Sequence, residues 1–432
     1  MMNWIAMRRS FLTVAAVAGC LWLQKAPVCA GAVTVSGRQI LVGGAAFQVR
    51  GVCYAPTPVG GAGDAVPYGD YFTANHQAIY ARDLPQIRRM GGNCVRIYGW
   101  EPAADHSGFF DAAYNGGQRP IYVLLNRWID PLTDWSNTAA VNAVAAAWVT
   151  LVTNVMHHPA VLGYLLGNEL NWSEANRQNP AFWAALNRIA GAIRQHDTNH
   201  LISTALGDVD LPGSISSFDA IMTNFNVWCL QVYRGDSFGT LFTDYAAASA
   251  KPLLVTEFGM DAYDRRIAAE YADNAGAQAD FVVSLCNELS ANAPAVSGGC
   301  VFEWADEWWK SGSATIHNVD GWATGAFPDG WADEEWWGIH RISPVGGGAP
   351  DVLQPRALFA QLRALWTARL LAAQSPVGQI QIIVQGASGQ TAVLKETTNF
   401  QHWTATATNT IPFTNGLPIG ADRQVFYRAE LR

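Results

Sequence analysis

The sequence carries little charge. Only 14% of its 432 residues are charged, the formal net charge is -8, and away from the N-terminus the longest basic runs are the pairs Arg88-Arg89 and Arg265-Arg266. Binding to nucleic acid or to an anionic membrane depends on clustered positive charge, so neither partner is expected. Half of the residues are apolar or aromatic, which provides for a large core and argues against a disordered chain.

Three further features are missing. The sequence has no internal repeat, no low-complexity segment and no glycine-rich phosphate-binding fingerprint after its first predicted strand. The last absence weakens the alternative of a doubly wound, nucleotide-binding sheet. The acidic stretch from Asp320 to Glu335 offers oxygen ligands for calcium, but runs of this kind more often form solvated loops. We therefore expect neither a metal nor a cofactor.

Cysteine is scarce. Cleavage of an N-terminal signal would leave an odd number of cysteines, and most of these lie within apolar, strand-like runs. They are Cys53, Cys94, Cys229, Cys286 and Cys300. This pattern predicts buried, small apolar side chains with at most one or two disulfide bridges.

The N-terminal residues have the composition of an export signal. The positive pair Arg8-Arg9 precedes an apolar stretch, Phe11 to Leu23, and small residues precede a cleavage site after Ala30. The apolar stretch is short for a membrane span. We predict a signal peptide over residues 1–30 and a secreted or periplasmic protein. A lipoprotein signal ending at Cys20 is the alternative, and it would attach the chain to a membrane.

Strand-like and helix-like segments alternate through most of the chain. The predicted strands are Val49–Tyr54, Asn93–Tyr98, Ile121–Asn126, Val161–Gly167, Leu201–Ala205, Val227–Tyr233, Leu253–Glu257 and Gly299–Trp304. The predicted helices include Tyr80–Met90, Ala139–His157, Ala181–Gln195 and Ala268–Ala291, and a last helix begins at Pro355. Eight strands with helical crossovers predict an α/β fold, a closed (β/α)8 TIM barrel over residues 31–373.

The pattern changes from about Ser375 onwards. Short alternating segments with polar turns follow, such as "GQIQIIVQG" and "VFYRAEL", without a helix signal. We predict a separate small β-sandwich-like module over residues 374–432. It resembles small β-sandwiches appended to secreted bacterial proteins, and the resemblance implies no catalysis there.

Two carboxylates stand at the ends of predicted strands, where the chemistry of a TIM barrel collects. Glu169 follows the fourth strand in "LLGNELNWS", and Glu257 ends the seventh in "PLLVTEFG". These strands lie across the barrel mouth from one another, so both side chains are expected to reach one substrate. Other strand ends carry further polar or aromatic residues: Tyr54, Arg96, Tyr98, Asn126, Asn168, Tyr233, Glu303 and Trp304.

A facing carboxylate pair suits the cleavage of a glycosidic bond. One group, protonated, donates to the leaving oxygen, while the other, ionised, attacks the sugar. The ionised group raises the pKa of its neighbour, which separates the two roles. We expect Arg96 and Tyr233 to keep the nucleophile ionised and Asn168 to bind a sugar hydroxyl. Taken alone, Glu169 or Glu257 could be a carboxylate at a helix N-terminus.

The ordered set of strand-end residues resembles the retaining glycoside hydrolases of clan A. The segments "RGVCYAP" and "GGNCVRIYGW" are also similar to those of fungal β-1,3-glucanosyltransferases and of β-galactosidase-like barrels. The resemblance covers the barrel, from about Val33 to Ala373. It implies that Glu169 is the acid/base and Glu257 the nucleophile. The expected substrate-binding residues are Arg96, Asn168, Tyr233, Trp304, Tyr54 and Asn126.

Tryptophan is unusually frequent, with 18 residues. Flat apolar rings in loops suit stacking on sugars, so Trp304, and after it Trp100, Trp128 and Trp172, are candidate platforms at the mouth. Strand alternation sends either Glu303 or Trp304 inward, and we favour Trp304.

Three functions fit these observations. A secreted retaining β-glycoside hydrolase acting on a β-linked glucan or related polysaccharide is the main interpretation. The second is a glucan transglycosylase with the same carboxylate pair, in which a sugar replaces water as acceptor. The third is a carbohydrate-binding protein on a barrel that has lost catalysis, against which the presence of both carboxylates counts. In each case the expected partner is a polysaccharide or oligosaccharide.

Overall fold

The computed structural model describes residues 6–9, 32–63, 69–267, 273–346, 349–367, 369–374, 379–386, 391–399, 401–418 and 421–431. Most of the predicted signal peptide, residues 1–30, lies outside the described residues, and so does the alternative lipidation site at Cys20. Within it, Ala6–Arg9 form a strand. Export therefore stays a prediction from the sequence.

Parallel strands close into a barrel at the centre of the chain. They are β1 (Val49–Cys53), β2 (Cys94–Ile97), β3 (Tyr122–Arg127), β4 (Val161–Asn168), β5 (Leu201–Leu206), β6 (Trp228–Gln231), β7 (Leu253–Phe258) and β8 (Val296–Val301). Each strand pairs with the next in sequence, and β8 returns to pair with β1. The predicted TIM barrel is confirmed.

Helices connect the barrel strands. They are α1 (Gln77–Met90), α2 (Ser107–Tyr114), α3 (Thr138–Val155), α4 (Glu174–Arg177), α5 (Pro180–Arg194), α6 (Gly213–Phe218), α7 (Leu241–Ala248), α8 (Ala275–Ala291) and α9 (Ala357–Trp366). Asparagine side chains cap the N-termini of several. Asn137 accepts hydrogen bonds from the first turn of α3, and Asn179 caps α5, whose first residue is proline. Single-turn 3-10 helices occupy Ala74–His76, Asn115–Gly117 and Leu170–Trp172.

Short antiparallel strands form small sheets in addition to the barrel. Val33–Ser36, Gln39–Val42 and Ala45–Ala46 form a meander before β1. After β8, Gly321–Ala323 pairs with Trp331–Asp333, and His340–Ser343 pairs with Val352–Pro355. The region between β8 and α9 is therefore a long connection with structure of its own, and long connections at this position carry binding residues in many barrels.

The C-terminal region contains two antiparallel sheets. One joins Arg369–Gln374, Gln379–Gln385 and Phe413–Pro418; the other joins Ala6–Arg9, Ala421–Leu431, Thr391–Thr397 and Thr404–Thr410. Both sheets contribute to one hydrophobic cluster, comprising Leu370, Ile382, Val384, Ala392, Leu394, Ile411, Val425 and Tyr427. These residues belong to a compact unit made of residues 1–29, 89–91 and 362–432, while residues 30–88 and 92–361 make up the other.

The structure corrects the last predicted helix. α9 ends at Trp366, and Arg369–Gln374, expected to continue the helix, instead pairs with Gln379–Gln385. The sequence "RLLAAQ" has apolar residues that suit either structure, and its sheet partner lies further along the chain, so tertiary pairing overrides the local helix signal. The compact unit that contains the C-terminal sheets accordingly includes residues from 362 onwards.

Closure of the barrel between β8 and β1 depends on a glycine. Gly298 has φ +93°, and a Cβ atom there would lie 2.1 Å from the backbone oxygen of Val49 in β1. We expect Gly298→Ala to lower the free energy of unfolding by at least about 2 kcal/mol, since it adds left-handed strain and a clash with a backbone atom that cannot rotate away.

A matched control is Gly276→Ala in α8, where a Cβ atom would meet no atom within 4 Å. This change should leave stability within about 1 kcal/mol of wild type, in the stabilising direction. Urea denaturation of the two variants measures the difference. Equal stabilities for both would show that the strand closure tolerates a side chain at Gly298.

Candidate active site

Glu257, in β7, accepts four hydrogen bonds at the barrel mouth. Its Oε1 atom accepts hydrogen bonds from the Arg96 guanidinium, from the Gln231 amide and, at 2.6 Å, from the Tyr98 hydroxyl. Its Oε2 atom accepts from the Tyr233 hydroxyl at 2.9 Å. The carboxylate is 6% exposed. Strands β2 and β6, with the residues that follow them, thus aim four donors at one buried acid on β7.

The donors around Glu257 keep their protons. Burial raises the pKa of Tyr98 and of Tyr233 well above the ordinary value, so both hydroxyls remain donors. Burial by itself would lower the pKa of Arg96, but Tyr98 and Glu257 outweigh it and the pKa is raised, so the guanidinium stays charged. A cation and three neutral donors bind the ionised form of a carboxylate.

Asn168, the last residue of β4, shares two of these donors. Its Oδ1 atom accepts hydrogen bonds from Arg96 and, at 3.0 Å, from Gln231. These contacts fix the orientation of the amide, because its oxygen must face the two donors. The side-chain nitrogen therefore points to the other side, which suits an acceptor on a bound molecule.

Glu169 follows Asn168 directly, in the left-handed region with φ 51°. Burial, and after it the charge of Glu257, raise the pKa of Glu169 to about 7. A Cβ atom at Gly207, after β5, would lie 3.0 Å from Glu169 Oε1 and 2.3 Å from Trp172 Nε1. The absence of a side chain at Gly207 thus makes room for Glu169 and the neighbouring tryptophan. A carboxyl group with a pKa near neutrality suits both proton donation and proton acceptance.

Three residues predicted to bind substrate are buried. Tyr54 is completely buried, and its hydroxyl donates to Asp83 of α1 at 3.0 Å. Asn126 is 1% exposed and donates to the backbone oxygen of Gly167. For Tyr54 and Asn126 the structure thus shows hydrogen bonds to other parts of the barrel.

Trp304 is the third, and the expectation of an open platform does not match its position. It is 1% exposed, and its ring packs 4.2 Å from that of His340 and against Phe359. The reason is that β8 ends at Val301, three residues earlier than predicted, so strand alternation no longer applies at Trp304. Trp100 is buried as well, whereas Trp128 and Trp172 are 62% and 57% exposed.

Two residues at the mouth were not identified from the sequence. Gln231 ends β6 and contacts both Glu257 and Asn168; a polar residue at the end of an apolar strand was the available signal. Phe302 follows β8, and its ring lies edge-on to those of Tyr233 and Trp337, with centroids 6.4 and 5.4 Å away. The position of Phe302 beside Tyr233 is thus reached only from the three-dimensional fold.

Comparison with known proteins gives the family. A family model described as glucanosyltransferase, glycoside hydrolase family 72, matches residues 25–327. The chain belongs to this family. The resemblance to clan A glycoside hydrolases is thereby confirmed, and the chain is related to enzymes that transfer glycosyl groups.

Similar proteins come from yeasts. The chain is 28% identical over 181 residues to the 1,3-beta-glucanosyltransferase gas1 of Schizosaccharomyces pombe, covering 41% of this chain and 31% of that protein. It is 26% identical over 247 residues to the 1,3-beta-glucanosyltransferase GAS4 of Saccharomyces cerevisiae, covering 50% and 49%. The matched region therefore spans 31% and 49% of the length of these two relatives.

Solved structures share the fold. A mutant of Saccharomyces cerevisiae Gas2p in complex with laminaritetraose and laminaripentaose has a TM-score of 0.51 and 16% identity, covering 77% of this chain and 66% of that one. A β-glucuronidase from Ruminococcus gnavus has a TM-score of 0.54 and 16% identity, covering 77% and 52%. At this identity the likeness shows the fold alone.

The raised pKa of Glu169 predicts how activity depends on pH. The fraction of molecules with Glu169 protonated falls as the pH rises through about 7, so kcat/KM on a glucan substrate should fall about tenfold per pH unit above that value. Initial rates between pH 5 and 9 measure this decrease in kcat/KM, and circular dichroism checks that the protein stays folded. A constant kcat/KM up to pH 9 would contradict the assignment of Glu169 as the acid.

Proposed function

We propose that the protein is a secreted β-1,3-glucanosyltransferase with a retaining, two-carboxylate mechanism. The observation that carries the proposal is the unequal environment of the two acids: Glu257 accepts four hydrogen bonds, while the pKa of Glu169 is raised to about 7. The sequence favoured hydrolysis as the main interpretation. The family match favours glycosyl transfer, which was the alternative.

In the first step Glu257 attacks the anomeric carbon of the donor sugar. A bond forms between a Glu257 oxygen and that carbon, while the bond from the carbon to the leaving oxygen breaks and Glu169 gives that oxygen its proton. Arg96 and Tyr233 hold Glu257 in position for the attack. Because an ester forms at one face of the sugar, the configuration at the anomeric carbon inverts once.

In the second step an acceptor hydroxyl takes the glycosyl group. Glu169, now ionised, removes the hydroxyl proton, and the acceptor oxygen displaces Glu257 from the anomeric carbon. The second inversion restores the original configuration. Water in place of the sugar gives hydrolysis by the same route, so the balance between transfer and hydrolysis depends on which acceptor the mouth binds better.

Asn168 is proposed to bind the donor sugar beside the bond that breaks. Its oxygen is held by Arg96 and Gln231, which leaves its nitrogen oriented to donate to a hydroxyl. A hydrogen bond of this kind strengthens as charge develops on the sugar ring, so it contributes more in the transition state than in the ground state.

The proposed substrate is a β-1,3-linked glucan. Support comes from the names of the relatives and from the Gas2p complex with laminari-oligosaccharides. The exposed rings of Trp128 and Trp172, in the connections after β3 and β4, offer flat surfaces for further sugar units. An extracellular location is proposed from the predicted signal peptide and agrees with a polysaccharide substrate.

Product analysis with laminaripentaose tests the proposal. We expect mass spectrometry to show oligosaccharides longer than five units as early products, formed at the expense of the pentasaccharide. Shorter sugars alone, without elongated products, would identify a hydrolase instead. Binding without any product would favour the non-catalytic alternative.

Variants of the two acids test the assigned roles. Glu257→Ala should abolish both elongation and cleavage, and Glu169→Gln should lower the rate on natural glucans by roughly 10²- to 10⁴-fold. Glu174→Gln is a matched control, because Glu174 is an exposed carboxylate of α4 that contacts Gln178. It should keep wild-type activity. Full activity in either Glu257→Ala or Glu169→Gln would overturn the carboxylate pair as the catalytic centre.

A further inference from the structure

A lysine surrounded by carboxylates lies in the connection that follows β8. The Lys310 Nζ atom is 2.9 Å from Glu307 Oε2, 3.7 Å from Glu334 Oε2 and 3.9 Å from Glu303 Oε1. We call Glu303, Glu307, Lys310 and Glu334 the Lys310 cluster. Only the contact with Glu307 is within hydrogen-bond distance, so the ammonium is oriented by one carboxylate and attracted by two more.

The cluster has a buried side and an open side. The side chains of Glu303 and Glu307 are 2% and 3% exposed, whereas those of Lys310 and Glu334 are 17% and 33% exposed. One oxygen of Glu303 and one of Glu307 are buried without a hydrogen-bond partner among the described residues. Burial, and then the charge of Glu307, raise the pKa of Glu303 well above its ordinary value. Glu303 and Glu307 therefore form the buried side of the cluster, and Lys310 and Glu334 form its more exposed side.

Aromatic contacts connect the cluster with the nucleophile. Lys310 Nζ lies 4.2 Å from the centroid of the Phe302 ring, which suits a cation–π contact. Phe302 is edge-on to Tyr233, whose hydroxyl donates to Glu257 at 2.9 Å. A nucleophile lies next to the sugar that it attacks, whereas the acid/base faces the leaving group. These contacts link the cluster to Glu257, beside which the proposed mechanism places the retained donor sugar.

Glu334 is the most exposed carboxyl group of the Lys310 cluster. Its charge is one of the contributions that raise the pKa of Glu169, although it is smaller than burial and the charge of Glu257. The backbone nitrogen of Glu334 donates to Asp320 at 2.9 Å, at the base of the hairpin formed by Gly321–Ala323 and Trp331–Asp333. This pairing holds the carboxylate at a defined position beside Lys310.

We propose that Lys310 and Glu334 form a subsite for the retained part of the donor glucan, in which the ammonium donates to and the carboxylate accepts from sugar hydroxyls. The inference rests on the proposed glucan-transferring function and assigns two specificity-determining residues to it. A neutral sugar fits better than an acidic one, because carboxyl groups already surround the single cation. The alternative is an ion cluster that only stabilises the loop.

Binding to an inactive form separates these two possibilities. In the Glu169→Gln background, the affinity for laminaripentaose is measured by calorimetry with and without a second change. Glu334→Ala should weaken binding at least about fivefold, and Glu334→Gln, which keeps an acceptor oxygen, should recover much of it. Lys310→Met should weaken binding about tenfold or more. Lys395→Met, which breaks the pair with Glu430 in the other unit, is the control and should bind as the background does.

Turnover measurements in the otherwise wild-type protein add a second readout. A subsite for the retained sugar binds the ground state and the transition state alike, so Glu334→Ala should raise KM with little change in kcat. The ratio of transfer to hydrolysis should stay the same, since the acceptor is bound elsewhere. A changed ratio at unchanged KM would overturn the inference.

The outcomes also separate this inference from the proposed function. If the wild type hydrolyses laminaripentaose without elongating it, the transferase proposal fails, but a Glu334-dependent affinity would still support the subsite. If Glu334→Ala is folded, with an unchanged melting temperature, and binds as tightly as the background, the cluster is only structural. Lys310→Met leaves the buried Glu307 without its partner, so the Glu334 variants decide the case if that protein does not fold.

Discussion

The contact between Arg96 and Glu257 holds the active site together. A fully buried guanidinium and a carboxylate that is 6% exposed meet at the centre of the mouth, and each would be costly to bury alone. Gln231 and Asn168 satisfy further hydrogen-bonding groups of the pair, while Tyr98 and Tyr233 supply neutral donors. Burial, and after it the charge of Glu257, raise the pKa of Glu169. The proposed nucleophile and the proposed acid are therefore set apart by their surroundings.

The barrel explains how the buried ion pair between Arg96 and Glu257 can form. Its strands are buried on both faces and bring residues far apart in sequence to one edge, so Arg96 and Glu257 meet across 161 positions. Glycine makes two close approaches possible. The backbone of β1 comes close to Gly298 in β8, and the Glu169 carboxylate comes close to Gly207 after β5. The strands act as a rigid support, and the long connection after β8 is the part of the mouth that distinguishes one barrel from another.

The sequence contains enough information for the barrel and for the centre of the site. Eight apolar runs ending in polar residues predict the strands, and strand order then brings Arg96, Asn168, Glu169, Tyr233 and Glu257 to one end. Alternation is valid only while a strand continues, so it misplaces residues beyond the true end. This is why Trp304 was assigned to the mouth although its ring packs against His340 and Phe359, and why Tyr54 was assigned there although it bonds to α1. The Lys310 cluster depends on the folding of a long connection, for which no periodicity exists.

Trapping the covalent intermediate tests the central claim most directly. A laminari-oligosaccharide donor with fluorine at C2 of the reacting sugar and a good leaving group should glycosylate the nucleophile, and the resulting glycosyl-enzyme should turn over slowly, because fluorine destabilises the charged transition state. Peptide mapping by mass spectrometry should place the added glycosyl group on Glu257 in wild type and on no residue in Glu257→Ala. A label on a different carboxylate, or complete turnover with inverted configuration and no label, would contradict the account.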